Sequence, residues 1–150
     1  MKSTLQIIAS LVCAFALTAC GGGGSTPATP VLDPATQPAA FLKTDTVVGT
    51  GPEVGANDTV TVRYTLWLYN STKPNNRGTL VETSGDKLFL AVLGRGNQIQ
   101  AWEQGIPGMK VGGKRTLTVP SALGYGSQEL KSIPANSGLL FDIELVQVSK

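Results

Sequence analysis

Trp102 and Tyr125 are the residues whose type and placement point most directly to chemistry. They lie in one glycine-punctuated stretch, Gln98 to Gly126, which reads QIQAWEQGIPGMKVGGKRTLTVPSALGYG. An indole on a short amphipathic helix and a phenol in a loop supply an aromatic floor and one hydrogen-bond donor. That combination suits binding an apolar peptide segment without attacking it. The familiar reactive constellations are missing elsewhere. The chain has no histidine, which excludes a His-based triad, a His zinc site and the usual acid/base residue of neutral pH. The serines lack a G-x-S-x-G context. The acids Glu82, Asp86, Glu103, Asp142 and Glu144 show no metal-loop spacing.

A reaction that needs neither a nucleophile nor a proton shuttle is compatible with these residues, and rotation about a prolyl peptide bond is one. Its barrier of roughly 18–20 kcal/mol comes from amide resonance. The twisted amide has less charge separation than the planar one, so an apolar pocket favours it relative to water, and each ~1.36 kcal/mol gained is about tenfold in rate.

The elements that must position these groups follow from periodicity. Asn97 is a good N-cap with Gln100 placed for a capping box, Ile99, Trp102 and Ile106 fall on one face, and Gly105 and Pro107 end the helix after about two turns. Thr59 to Leu68 alternates cleanly, with Val60, Val62, Tyr64, Leu66 and Leu68 on one side, which predicts a half-buried antiparallel strand. On the other side Trp67 suits either a surface patch or an edge contact. Further strands are expected at Thr46 to Val48, Thr79 to Thr83, Leu88 to Leu93 (a run suited to cover on both sides), Lys114 to Val119 and Leu139 to Val148. Asn70 to Leu80 reads as a polar hairpin connection and Pro120 to Ser137 as a long loop. The expected class is α+β, an antiparallel sheet wrapped on one short helix.

The first forty residues do not read as fold. Lys2 and the apolar run Leu5 to Leu17 make a signal peptide over 1–19, too short for the roughly 20-residue span of a bilayer. Leu17-Thr18-Ala19-Cys20 resembles a bacterial lipobox, so Cys20 is expected to be a lipid anchor, and Gly21 after it leans to the outer membrane, facing the periplasm. Cys13 falls inside the apolar run, and neither cysteine can form a structural disulfide in the mature domain. Residues 20–40, with four consecutive glycines and then Pro27, Pro30, Pro34 and Pro38, read as a lipid-anchored linker that buries too little to be ordered. Residues 41–150 form the folded domain. The formal charge of +2, without a basic cluster or aromatic stripe, gives no reason to expect a nucleic-acid partner.

From Thr46 to Val148 the chain resembles the FKBP-type peptidyl-prolyl cis–trans isomerases. The resemblance rests on VTVRYTL, FLAVLGRGNQIQAWEQGIPGMKVGGKRTLTVP, ALGYG and IPANSGLLFDIELVQV. It implies a half-barrel sheet curled around one helix and no cofactor or metal. The substrate would be a proline-containing segment of a folding protein, with macrolide ligands in the same pocket. It also implies a monomer helping envelope proteins fold. Carried over by position, Trp102 is the pocket floor, Tyr125 bonds a substrate carbonyl through its hydroxyl, and Ile99 bonds another through its backbone N–H. Tyr64, Phe89, Ile133 and Phe141 are walls, and Gln98 stands beside them. Glu82 stands where the family usually has aspartate and Val81 where it usually has phenylalanine, so a catalytically weak chaperone or peptide-binding module is the alternative. By residue type alone, Trp102, Phe89 and Phe141 suit a plain core better than a pocket, Tyr64 suits either, and Glu82 serves equally as a solvated strand-edge acid.

Overall fold

The computed structural model describes residues 33–150; the signal-peptide, Cys20 and initial linker expectations lie outside the described residues. Two long strands form the backbone of the sheet. They are β2 (Thr59–Tyr69) and β6 (Leu139–Ser149), paired antiparallel from Thr59↔Ser149 to Leu68↔Leu139. Alternation dictates their inner faces: Val60, Val62 and Leu66 on β2 and Leu139, Phe141, Ile143 and Leu145 on β6 are buried. On the far side of β6 lies β5 (Lys114–Val119), then β1 (Leu42–Val47) at that edge. On the far side of β2, β3 (Arg77–Thr83) pairs with Thr65 to Tyr69, and β4 (Phe89–Val92) with Thr59 to Val62. Among the described residues all six strands are antiparallel, and one α-helix, α1 (Gln100–Gly105), buries Ala101, Trp102 and Gly105 against their apolar face. The expected α+β architecture is the observed one.

Several local expectations are corrected. The N-cap of α1 is Ile99, in extended conformation and without a side-chain cap, not Asn97. The Ile99 carbonyl accepts the first helical bonds, from Trp102 N–H at 3.0 Å and Glu103 N–H at 3.3 Å. Gly105 is the last helical residue rather than a left-handed stop; a Cβ there would lie 2.6 Å from Leu117 Cδ1, so a larger residue would force the buried Leu117 side chain to shift. The apolar run expected to be covered on both sides, Leu88 to Leu93, is instead edge strand β4, since it pairs with β2 alone, and Leu88 and Leu90 are exposed. β1 starts at Leu42 and β3 at Arg77, both earlier than expected, so much of the polar connection is strand. The tight turn between β2 and β3 places Asn75 and Asn76 at positive φ, a conformation asparagine tolerates well. Trp67 lies half-buried with the Arg77 guanidinium 4.9 Å over its ring. Residues 33–40, expected as the end of the linker, dock on the domain: Ser71 N–H donates to Ala35 O and Gly138 N–H to Thr36 O, and Pro38 is buried. Composition missed this because the contacts are made mainly by backbone groups, which every residue carries.

One buried cation ties helix to sheet. Arg115, on the inner face of β5, grips Asp45 of β1 through Nε–Oδ1 at 2.6 Å and Nη2–Oδ2 at 3.0 Å. Its Nη1 donates to the carbonyls of Gly105 at 2.7 Å and Pro107 at 3.2 Å, serving the otherwise unpaired C-terminal end of α1. The Arg115 hydrogen bond holds the Asp45 carboxyl below its ordinary pKa of 3.8. A depressed folded-state pKa stabilises above the unfolded value and is lost as pH falls through the folded one. Asp45→Asn is therefore expected to cost about 1–2 kcal/mol near neutral pH, discounted because the Asp45 side chain is partly exposed. In denaturant melts the gap from wild type should narrow below about pH 4; a gap independent of pH would show that the charge on Asp45 contributes nothing.

Candidate functional site

Four rings from four elements converge at one end of the apolar face. Trp102 of α1 is the hub. Its ring centroid lies 5.4 Å from that of Tyr64 (β2), 5.6 Å from Phe89 (β4) and 5.7 Å from Phe141 (β6), with interplanar angles of 79°, 90° and 77°. Tyr64 and Phe89 also meet edge-to-face, at 5.6 Å. These near-perpendicular contacts are the arrangement that ring quadrupoles favour, and they hold the indole in one orientation. The indole is 4 % exposed, and its Nε1 has no hydrogen-bond partner among the described residues.

Above the indole is a hollow of about 170 Å³, lined by Tyr64, Leu66, Glu82, Phe89, Trp102, Tyr125 and Phe141, with Asn97, Gln98 and Ile99 at the entry to α1. A space below the ~300–1,000 Å³ of drug-sized clefts suits one small ring and its neighbouring amide. Tyr125 overhangs it from the β5–β6 loop. A 3-10 turn at Ser121–Leu123 opens that loop, Gly126 N–H donates to Ser121 O at 2.8 Å, and Asn136 N–H donates to Gly126 O at 2.7 Å. Gly126 takes φ +59, so the residue after the phenol reverses the chain where a side chain would be strained. Opposite, no protein acceptor among the described residues takes the Ile99 N–H.

Eight of the expected site residues therefore line one hollow: Tyr64, Glu82, Phe89, Gln98, Ile99, Trp102, Tyr125 and Phe141. Val81 and Ile133 do not. Ile133 is buried in the core, and Val81 packs half-buried against it. The register explains Val81: Glu82 pairs with Leu66 and Leu80 with Trp67, so an irregularity falls at Val81 and the neighbouring Glu82 shares the face of the pocket residue Leu66. Leu66 and Asn97 line the hollow without having been expected there. The alternation through Tyr64 and Leu66 carried the signal for the first, whereas Asn97 had been assigned to a cap it does not form. A larger hollow, about 380 Å³, lies on the opposite face of the sheet, where its charges are largely paired, as in Arg77–Asp142 at 2.5 Å and Lys114–Glu144 at 3.6 Å.

A family model described as FKBP-type peptidyl-prolyl cis-trans isomerase matches residues 51–146. The chain belongs to this family. FK506-binding protein 1 of Aspergillus oryzae is 35% identical over 106 residues, covering 67% of this chain and 91% of that protein. FK506-binding protein 4 of Gibberella zeae is 38% identical over 137 residues, covering 85% of this chain but 26% of the relative, so the chain spans about a quarter of that longer protein. Among solved structures, AtFKBP13 superposes with a TM-score of 0.62 at 32% identity, covering 77% of this chain and 98% of that one. FkpA from Escherichia coli superposes with a TM-score of 0.59 at 28% identity, covering 73% and 48%.

The rim of the hollow is electrostatically simple. Burial, reinforced by the Glu82 carboxylate and then by Tyr125, pushes the Tyr64 phenol up to about 12. Burial and then the Glu82 charge also raise that of Tyr125. Both phenols thus keep their protons, and remain donors, through and beyond the neutral range. Glu82→Gln removes a negative charge that opposes phenolate formation, so both phenols should ionise at lower pH than in wild type. Ultraviolet difference titration, with Tyr64→Phe and Tyr125→Phe to assign the transitions, reads this directly; unchanged midpoints would place the carboxylate too far away to matter.

Proposed function

We propose that this domain accelerates rotation about Xaa-Pro bonds in other polypeptides, and that the Trp102-floored hollow is where the proline sits. The observation that carries this reading is the hollow itself: four rings enclose a space the size of a small ring, and the Tyr125 phenol and Ile99, at the entry to α1, line it too. The pyrrolidine ring would rest on the indole between Tyr64, Phe89 and Phe141. The Tyr125 hydroxyl and the Ile99 N–H would donate to the flanking carbonyls. Removing the amide from water then favours the less polar twisted geometry over the planar one, which lowers the barrier without a covalent step. Val81 does not itself line the hollow but packs half-buried against the core, so the walls that would surround the proline are Tyr64, Phe89 and Phe141.

A second reading, a catalytically weak chaperone that holds apolar segments regardless of proline, is favoured by the exposed Leu88 and Leu90 next to Phe89. A protease-coupled assay on a proline-limited peptide separates the two. Tyr125→Phe removes one hydrogen bond of about 1 kcal/mol and is expected to slow turnover about fivefold. Trp102→Ala should abolish most activity and destabilise the fold by about 3–5 kcal/mol. Wild-type domain that is folded yet gives no acceleration over buffer removes the isomerase reading.

The amino-terminal sequence supports a cellular setting for this activity. Cys20 of the Leu-Thr-Ala-Cys run would carry lipid, Gly21 directs the product to the outer membrane, and the domain would meet proline-containing segments of envelope proteins in the periplasm, as a monomer. Cys20→Ala in the full chain is expected to move the protein from the detergent-rich to the aqueous phase on partitioning and to prevent labelling by radioactive palmitate. Labelling that survives the substitution would end the lipoprotein proposal.

A further inference from the structure

The loop that carries Tyr125 does not hold itself in place alone. Residues 33–38 form a strap across its two ends. Asp33 shapes the strap: its Oδ1 accepts from Ala35 N–H at 2.8 Å, and its carbonyl accepts from Thr36 N–H at 2.9 Å and Gln37 N–H at 3.0 Å. The strap then makes contact with both sides of the loop. The Gln37 carboxamide accepts from Ser121 N–H at 3.2 Å through Oε1 and donates to the Asn136 carbonyl through Nε2. Gly138 N–H donates to Thr36 O at 3.0 Å, and Pro38 is buried against Gly138, where an added Cβ would lie 2.5 Å from Pro38 Cδ. Ser121 and Asn136 are the same residues that fix Gly126, beside the phenol: Ser121 O accepts from Gly126 N–H and Asn136 N–H donates to Gly126 O.

We infer that Gln37 is a positioning residue for Tyr125, joining Ser121 to Asn136 through one side chain so that the phenol overhangs the hollow. Both bonds come from a single planar amide, so the spacing between the two loop ends is set by a rigid group, not by two independent contacts. The strap lies before residues 51–146, the part of the chain that matches the family. Residues inside that matched part supply the floor, and a segment that precedes it sets the roof. The consequence for turnover rests on the isomerase reading given above; the consequence for the position of the phenol does not.

The test uses the full chain with Gln37→Ala and Gln37→Glu, the latter keeping the acceptor for Ser121 while losing the donor to Asn136. Three quantities are read: thermal melting, kcat/KM on a proline-limited peptide, and the ionisation midpoint of Tyr125 by difference titration against Tyr125→Phe partners. Because burial is the main cause of the raised Tyr125 midpoint, with Glu82 the charged group beside it, a loosened loop shows up as a fall toward the ordinary value of 10.0. Gln37→Ala is expected to lower that midpoint and to reduce kcat/KM roughly tenfold, the equivalent of about 1.4 kcal/mol, in protein that still melts cooperatively. Gln37→Glu should fall between it and wild type. A Tyr125 midpoint unmoved in both folded variants overturns the inference. If the wild type proves inactive, the isomerase reading fails, while the titration still decides the role of Gln37.

Discussion

The structure depends on holding a helix that is too short to stand alone. Six residues form little more than one hydrogen-bonded turn, and nucleating a turn costs more backbone entropy than its first bonds return. Tertiary contacts must therefore supply the stability of α1, and they act from three directions. The Trp102 ring is pinned by Tyr64, Phe89 and Phe141. The absent side chain of Gly105 lets Leu117 of β5 approach the helix backbone. The Arg115 guanidinium then takes the carbonyls that the helix end leaves unpaired and anchors them to Asp45 of the edge strand. The same contacts that permit the helix also orient the indole, so the floor of the site and the stability of the element bearing it are one arrangement.

That coupling explains why the hollow stays open. A sheet face of Val, Leu and Ile would ordinarily be covered completely, because each buried side chain contributes about 1.5–3 kcal/mol. Here the helix covers only part of the face, and β4 ends the sheet with Phe89 at the rim. Rings packed edge-to-face make a stiff wall that does not collapse into the space between them, unlike aliphatic chains that can change rotamer. Above the wall the polar side chains are few: two phenols, the carboxamides of Asn97 and Gln98, and one carboxylate, whose negative charge helps keep both phenols protonated. Glu82, read from sequence as either a surface acid or a pocket acid, lines the hollow and biases its donors electrostatically.

What the sequence disclosed and what it withheld divide along a physical line. Period-two alternation located β2, β5 and β6 closely, because each has one face buried, and the conjunction of Trp102 with a glycine-flanked Tyr125 pointed to the two halves of the site. Edges were harder. β4 is apolar for its contribution to the pocket rim, not because both faces are covered, and β1 is wholly exposed, so neither carries a burial pattern to read. The Asn97 cap failed because backbone geometry at Ile99 starts the helix two residues later. Arg115 is the clearest case: its place on the inward face followed from the pattern of β5, but a charged residue there makes sense only once Asp45, distant in sequence, and the Gly105 carbonyl are known to lie beside it.

The division between a rigid floor and a loop-borne roof bears on how such a site can discriminate a rotating amide from a resting one. Only contacts that strengthen between ground state and transition state accelerate a reaction. The pyrrolidine ring changes little as the bond before it rotates, so under the proposed binding mode its contacts with Trp102, Phe89 and Phe141 would hold the substrate almost equally throughout. The carbonyl preceding the proline changes most. The groups that can respond to it are at the rim, where the Tyr125 hydroxyl descends from the loop and the Ile99 N–H points from the helix entry. Under the proposed binding mode, binding strength would be set by elements of the sheet and helix, whose geometry α1 packing fixes, and rate by donors whose placement depends on a loop. A loop can fulfil that role only if something external limits its motion, since eighteen residues from Pro120 to Ser137 would otherwise sample many arrangements at little cost. The bonds from Gln37, outside the loop, to Ser121 and Asn136 supply this limit, and those two residues in turn hold Gly126, so the accuracy of the donor is a property of the loop's ends as much as of the phenol itself.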